Sequence, residues 1–235
     1  MSNGNFLAVR QAETFSSSAR TPLTEICPAA QADAQAAFGF ALAWALTRSK
    51  GLLVWAVPER LECEHGAPYA EGLAQFGADL ARLLFVRAPS QADALWAAEQ
   101  ALSTPGALAL CAIASSPKSL SLTATRRLLL LAEKYQSQCI LIRFDALAPS
   151  AAWIRFSVQS APSKGAAHEL GAPAFDVRLT RNRAGPCGQS WRFIWNAQTH
   201  AFITAHFKKD ARALDGDLVQ PACKRSAEPR RRSAL

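Results

Sequence analysis

The sequence predicts an α/β protein with a mostly parallel central sheet, helices on both faces and antiparallel strands at its carboxyl end. Between residues 23 and 144, five apolar segments alternate with segments of helical character, as in a series of strand–helix units. Two of these segments, 52–57 and 107–113, are apolar throughout, which is typical of interior parallel strands. After residue 150, apolar and polar residues alternate, as in strands with one wet face.

The parallel part of the sheet is predicted from five strands and four intervening helices. The strand segments are 23–27, 52–57, 82–88, 107–113 and 138–144. The helical segments are 30–49, 68–76, a stretch from Ser90 to the Pro-Gly pair at 105–106, and 122–135. Ser90 with Asp93 three residues later resembles a capping box, and either Ser119 or Ser121 is expected to cap the last helix.

The alternating segments 151–159, 174–183 and 189–196 predict antiparallel strands, and the turn at 184–188 predicts that the last two form a hairpin. Trp191, Phe193 and Trp195 share one face of the final strand. That face is either core or a docking surface, and burial is the preferred interpretation because aromatic residues at this period usually pack inward. The expected organisation is a flexible lead-in at 1–22, a domain at 23–207 and a basic, disordered tail at 208–235.

The charge of the chain is concentrated in its tail. The formal net charge is +8, and residues 208–235 hold eight Lys or Arg against four acidic residues, which is half of that excess. A basic tail suits contact with nucleic acid or with an acidic partner, and it equally suits a terminus that only improves solubility. Its contact candidates are Lys224, Arg225, Arg230, Arg231 and Arg232.

Cysteine usage and hydropathy indicate a cytoplasmic protein without membrane association. The six cysteines are scattered without a CxxC pair, and Cys111 and Cys139 lie inside apolar runs where burial is expected. The first residues lack the apolar run of a signal peptide. The longest apolar run, 36–46, has 11 residues, whereas about 20 are needed to cross a bilayer.

Searches for common catalytic and metal motifs fail. The chain contains no GxxxxGK[ST], GxGxxG, GxSxG or HExxH pattern. Cys63 and His65 are potential metal ligands, but a zinc site needs three or four convergent ligands, so an exposed loop is preferred. Glu62 and Glu64 are interpreted as solvated acids in a polar turn.

The turn after the first strand is where many α/β proteins bind phosphate. Such a loop needs glycines, a lysine and a hydroxyl, and the turn here offers none of them. Its residues are Ala29, Ala30, Gln31, Ala32, Asp33 and Ala34. Asp33 brings a negative charge to the phosphate position, or else caps the following helix. Ala114 stands at the end of the fourth strand, where a metal-binding acid is expected. We therefore predict no catalytic residues, no cofactor and no ATP hydrolysis.

The order of these segments resembles the RecA core, here as a P-loop-NTPase-type fold without a functional Walker A motif. "LTEICP" resembles the strand before the RecA phosphate loop, and "GALALCAIASS" resembles the magnesium-site strand. In "LLVWAVPERL", Glu59 falls near the position of the catalytic glutamate. "RLTRNRAGP" resembles a segment whose lysines reach the nucleotide across the subunit interface in RecA filaments, and Arg181 and Arg183 occupy the matching places.

Within RecA-like proteins, the sequence most resembles the ImuA family. The shared pieces include "AAFGFALAWAL", "YAEGLAQFGADLARLLFVRA", "LSLTATRRLLLLAE" and "RNRAGPCGQSW", and they span residues 23–202. The resemblance implies a non-catalytic adaptor in SOS-inducible translesion DNA synthesis. The implied partners are ImuB, the error-prone DnaE-type polymerase by an indirect contact, and RecA. The lead-in is shorter than is usual in this family.

Two other functions remain open at this point. A cell-division inhibitor of the SulA type is also RecA-like without a phosphate loop. A DNA-binding accessory protein would use Arg181, Arg183 and the run 230–232 on phosphates. Arg126 and Arg127 would join them, although a solvated helix face is preferred for this pair. The segments 115–121 and 145–150, which match the RecA DNA-binding loops, are too short to thread a DNA strand.

Overall fold

The computed structural model describes residues 21–114, 120–144, 149–163 and 171–205. The strands are β1 (Leu23–Pro28), β2 (Leu53–Pro58), β3 (Leu83–Ala88), β4 (Leu108–Ile113), β5 (Gln138–Arg143), β6 (Ile154–Ser160), β7 (Ala174–Asn182), β8 (Ser190–Asn196) and β9 (Ala201–Ala205). The helices are α1 (Ala34–Arg48), α2 (Glu59–His65), α3 (Ala70–Gln75), α4 (Gln91–Leu102) and α5 (Leu122–Lys134), with 3₁₀ turns at Gln31–Asp33 and Leu80–Arg82. The expected lead-in and tail fall largely on residues 1–20 and 206–235, outside the described ranges.

All nine strands form one sheet in the order β3-β2-β4-β5-β1-β6-β7-β8-β9. The six strands from β1 to β6 are parallel to one another, and β7, β8 and β9 continue the sheet antiparallel. The α/β class and the β7–β8 hairpin are therefore confirmed. The antiparallel prediction for segment 151–159 is right towards β7 but wrong towards β1, which β6 joins in parallel with Ile154 opposite Thr24. Alternation shows that one face is wet, but it does not reveal the direction of the neighbouring strand.

Helix α1 covers one face of the sheet with an aromatic core. Phe40 is fully buried, and its ring lies 5.7 Å from that of Phe156 and 5.8 Å from that of Phe193. Trp195 is also buried, and its Nε1 donates to the carbonyl oxygen of Phe76 at 2.8 Å. The core interpretation of the aromatic face is thus confirmed for Phe193 and Trp195, while Trp191 is half-buried at the edge of the same cluster.

Helices α4 and α5 cover the opposite face with small and aliphatic side chains. Ala94, Ala98 and Leu128 pack there against Leu141 and its neighbours on β1, β2 and β4. The thiols of Cys111 and Cys139 are buried in this layer, as predicted.

Serine side chains cap the amino-terminal ends of α4 and α5, as the sequence predicts. Ser90 Oγ accepts from the N–H of Asp93 at 3.2 Å, and Ser121 Oγ accepts from the N–H of Ala124 at 3.1 Å. Ser121 is therefore the cap of α5. A side-chain oxygen satisfies one of the free N–H groups of a first helical turn in each case.

Two elements were missed by sequence reasoning, α2 and β9. Residues 59–65 form a helix directly after β2, rather than a polar turn or loop. Glu62 is buried and pairs with Arg87 of β3, with 2.6 Å between Arg87 Nε and Glu62 Oε2. The interpretation of Glu62 as solvated was wrong, because a partner 25 residues away cannot be read from local composition. Glu64 is exposed and pairs with Arg60 at 3.0 Å.

Within the described ranges, no helix is both long and apolar enough to cross a membrane.

Candidate functional site

The turn between β1 and α1 is closed by its own carboxylate. Asp33 is buried, and its Oδ2 accepts from the N–H of Ala30 at 3.2 Å. Its Oδ1 accepts from both the N–H and the Oγ of Ser160, at 2.9 and 3.0 Å, at the end of β6. Asp33 precedes α1 directly, but its side chain bonds no N–H of that helix, so it is not the helix cap that one interpretation expected. It holds the turn to the sheet instead.

The carboxylate of Asp33 disfavours a second anion at this turn. Phosphate loops bind because backbone N–H groups converge on an empty anion position. Here Asp33 already supplies an anion to two backbone N–H groups, and the N–H of Ala29 donates to the carbonyl oxygen of Val158 at 2.8 Å. A phosphate placed against this turn would meet a carboxylate. Asp33 therefore ties the turn to the end of β6.

Aromatic side chains and the imidazole of His65 fill the space beside the start of α1. His65 stacks on Phe144 with 4.9 Å between ring centroids and 5° between planes, and Phe38 lies within 6.2 Å of both Phe144 and Trp55. Gln35, in the first turn of α1, donates from Nε2 to the carbonyl oxygen of His65 at 2.7 Å. The cleft that remains between α1, β2 and α2 has a volume of about 80 Å³. Pockets for cofactors usually measure about 300–1,000 Å³.

Two other positions that match the RecA nucleotide site are Ala114 and Glu59. Ala114 follows β4, is half-buried and packs against the aromatic core. Glu59 begins α2 at the end of β2 and is exposed. Across the part of the chain that the structure describes, no three His, Cys, Asp or Glu side chains converge in a group suited to a metal ion, and Cys63 and His65 form no such group.

A buried charge cluster on the opposite face of β1 was missed by sequence reasoning. Glu25 is inaccessible to solvent and accepts from Arg143 Nη1 at 2.9 Å and from Arg155 Nε at 2.7 Å. Arg143 itself is 1% exposed. The available signal was an acidic residue inside the otherwise buried strand "LTEICP", because such a charge requires a partner.

Arg181 and Arg183 lie far from the turn at 29–34. Asn182, between them, pairs with Ile154 at the start of β6, whereas the turn binds Ser160 at the end of β6. The two arginines are therefore at the opposite end of the sheet and cannot meet the turn of the same molecule. Arg181 Nη1 donates to the carbonyl oxygen of Ser150 at 2.8 Å.

The surroundings of Arg181 are positively charged. Burial lowers the pKa of Arg181, the positive charges of Arg183 and Arg155 lower it further, and Glu25 opposes them. Arg183 is exposed. The structure thus brings Arg181, Arg183 and Arg155 together, of which the sequence had indicated only the first two.

The remaining sequence candidates do not join this group. Arg127 forms an ion pair with Glu99 of α4, and Arg126 is exposed beside it, as on a solvated helix face. The tail candidates lie outside the described residues: Lys224, Arg225, Arg230, Arg231 and Arg232.

Comparison with known proteins places the chain among its relatives. No family model matches the sequence. Protein ImuA from two strains of Caulobacter vibrioides, NA1000 and CB 15, is 34% identical over 200 residues, which cover 79% of this chain and 77% of each relative. The chain belongs to the ImuA family. The family resemblance seen in the sequence is thereby confirmed.

Similarity to solved structures identifies the fold of this ImuA-family chain. The RadB recombinase is 18% identical over 80% of this chain and 94% of its own, with a TM-score of 0.56, so the RecA-like core is confirmed. SulA from Pseudomonas aeruginosa is 21% identical over 53% of this chain and 98% of its own, but its TM-score of 0.39 is too low to support a shared function.

Proposed function

We propose that the chain is a non-catalytic adaptor in damage-inducible, SOS-controlled translesion DNA synthesis. It docks onto ImuB, and through ImuB it meets the error-prone DnaE-type polymerase. Membership of the ImuA family supports a role in the mutagenesis cassette. The observation that carries the non-catalytic part is Asp33, whose carboxylate accepts from the N–H of Ala30 in the turn and from the N–H of Ser160 on β6.

Further losses support this proposal because they concern independent parts of a nucleotide site. Ala114 offers no metal ligand at the end of β4, and the rings of Phe38, His65 and Phe144 fill the space beside α1. A RecA-like surface does not need a nucleotide to bind another protein, since interfaces depend on shape and on apolar and polar complementarity. RecA is a further partner candidate, and cytoplasmic residence follows from the same proposal.

A pull-down tests the adaptor function. The full chain is immobilised and offered ImuB from the same mutagenesis cassette, and in parallel the tubulin-like division protein that a SulA-type inhibitor would bind. We expect retention of ImuB alone. Retention of the division protein without ImuB would replace the adaptor by a cell-division inhibitor.

A thermal-shift experiment tests the loss of nucleotide binding. A ligand present at a hundred times its Kd stabilises a protein by about 2.7 kcal/mol, which corresponds to several degrees in Tm. We expect millimolar MgATP to shift the Tm by no more than MgCl₂ with sodium sulfate at matched ionic strength. A rise of several degrees specific to ATP would contradict the loss of nucleotide binding.

A further inference from the structure

The antiparallel end of the sheet has an inner and an outer face of opposite character. On the inner face, Phe156, Val177 and Phe193 pack under α1. The cross-strand register places the alternate residues on the outer face, with Arg155 opposite Arg181, Ser157 opposite Arg178, and Asp176 opposite Arg192. We call this set of outward side chains on β6 to β9 the arginine face. Arg178 and Thr180 of β7 are exposed.

Among the described residues, basic side chains on the arginine face outnumber acidic ones. Arg192 pairs with Asp176, with 2.6 Å between Nη2 and Oδ2, and Arg155 shares Glu25 with Arg143. Within the described ranges, Arg178 and Arg181 have no acidic side chain within ion-pair distance. Arg178 is exposed. Two guanidinium groups on this face are therefore available to an external anion.

Neighbouring charges make such an anion favourable. Arg181 is flanked by Arg155 across the ladder and by Arg183 two residues on, and like charges at this range repel one another. A carboxylate or phosphate placed among them relieves this repulsion. Partial burial of Arg181 strengthens the effect, because charges interact more strongly away from bulk water.

An aliphatic pair lies on the same face, beside Arg192 and opposite the start of β7. Ile194 of β8 lies opposite Ile203 of β9, a residue that is 38% exposed. None of the outward-facing described residues of β6 to β9 is aromatic. Proteins usually bind single-stranded nucleic acids through aromatic rings that stack on the bases, and an aliphatic pair does not offer such stacking. An acidic and partly apolar protein segment matches both features.

We propose that the arginine face is the docking surface for an acidic, amphipathic segment of a partner protein. Carboxylates of the segment meet Arg178 and Arg181, and its apolar side chains cover Ile194 and Ile203. The tail of this chain is excluded as the occupant, because residues 208–235 carry eight basic and four acidic side chains. The inference rests on the adaptor function proposed above, for which it names a surface.

The test uses a defined probe and the full chain. The probe is a fluorescein-labelled 16-residue peptide of Glu and Leu, with one acidic and one apolar helical face, and binding is followed by anisotropy. We expect Arg178→Glu with Arg181→Glu to weaken binding at least about tenfold, since two attractive contacts become repulsive. The matched control, Arg60→Glu with Arg126→Glu, changes the net charge equally on exposed helix positions and is expected to weaken it less than about threefold.

The aliphatic half of the surface is tested separately. Ile203→Ser is expected to weaken peptide binding about threefold or more, because apolar area on the probe loses its partner. Labelled oligothymidylate of 20 nucleotides serves as the comparison polyanion. The proposal is overturned if the arginine variant binds the peptide like the control variant. It is also overturned if the arginines govern only oligothymidylate binding while Ile203→Ser leaves both ligands unaffected.

ImuB retention separates this inference from the function on which it rests. Loss of ImuB by the arginine variant but not by its control supports both. Retention by the wild-type chain and the arginine variant alike overturns the arginine face and leaves the adaptor function standing. Failure of the wild-type chain to retain ImuB overturns the adaptor function. The peptide-binding experiment then tests the arginine face independently of ImuB.

Discussion

A single residue, Asp33, decides how the turn at 29–34 is held. Asp33 lies where glycine-rich loops leave room for an anion, and its two carboxylate oxygens accept three hydrogen bonds. Ser160 supplies two of the donors from a strand 127 residues away. The carboxylate at this position therefore forms a tertiary contact between the turn and β6.

Removing that carboxylate is expected to destabilise the protein. Asp33→Ala leaves the N–H groups of Ala30 and Ser160 without acceptors, which should lower the free energy of unfolding by about 2–3 kcal/mol. Ser160→Ala removes only the hydroxyl donor and should cost about 1 kcal/mol. Urea denaturation followed by tryptophan fluorescence measures both. Equal stability of Asp33→Ala and the wild-type chain would contradict the tethering role.

Ion pairs of one buried carboxylate link three strands of the sheet. Glu25 of β1 accepts from Arg143 of β5 and Arg155 of β6, so one carboxylate bridges the parallel core and the strand that leads to the antiparallel end. Arg143 is buried almost completely, and Glu25 lies within ion-pair distance of it at 2.9 Å. The registers of β1 with β5 and of β1 with β6 are both reinforced by this contact.

Breaking this cluster should be costly. Glu25→Gln leaves two guanidinium groups without their counter-ion, and loss of one partner of a buried pair typically costs about 3–5 kcal/mol. Glu64→Gln, which breaks an exposed pair with Arg60, should change stability by less than about 1 kcal/mol. Thermal and urea unfolding of the two variants give the comparison. If Glu25→Gln lowers stability no more than Glu64→Gln does, the ion pairs of Glu25 with Arg143 and Arg155 do not stabilise the fold.

The whole molecule separates the two ends of its parallel sheet. The turn at 29–34 lies at one end, and Arg181 with Arg183 lies at the other, while the arginine face spreads over the antiparallel extension. The sequence suggested a domain that is only mildly basic outside its tail. Folding gathers arginines from β5, β6, β7 and β8 into neighbouring positions, so the local charge exceeds what the average composition indicates.

Burial across the two core layers predicts which thiols react. Burial raises the pKa of Cys111 to about 12 and raises that of Cys139 well above its ordinary value, so both remain protonated thiols at pH 8. The thiolate is the reactive form. We expect iodoacetamide at pH 8 to label exposed Cys63 in the native protein and to label Cys27, Cys111 and Cys139 only after unfolding.

Peptide mass spectrometry of native and urea-treated samples locates these labels, and Cys63→Ser should remove the label at that site without exposing the buried thiols. Labelling of Cys111 in the native protein at the rate of Cys63 would show that the sheet opens readily around β4.

Local patterns determined much of this protein. The apolar runs predict β2 and β4, and Ser90 with Asp93 predicts the start of α4, because each depends on neighbours in sequence. The missing glycines and lysine at 29–34 predict the loss of the phosphate site, which stays a prediction. Only the tertiary structure decided the parallel pairing of β6 with β1, the burial of Glu62 beside Arg87, and the cluster around Glu25. The partners of Glu25 lie 118 and 130 residues away, and no local periodicity encodes a contact between residues so far apart in the chain.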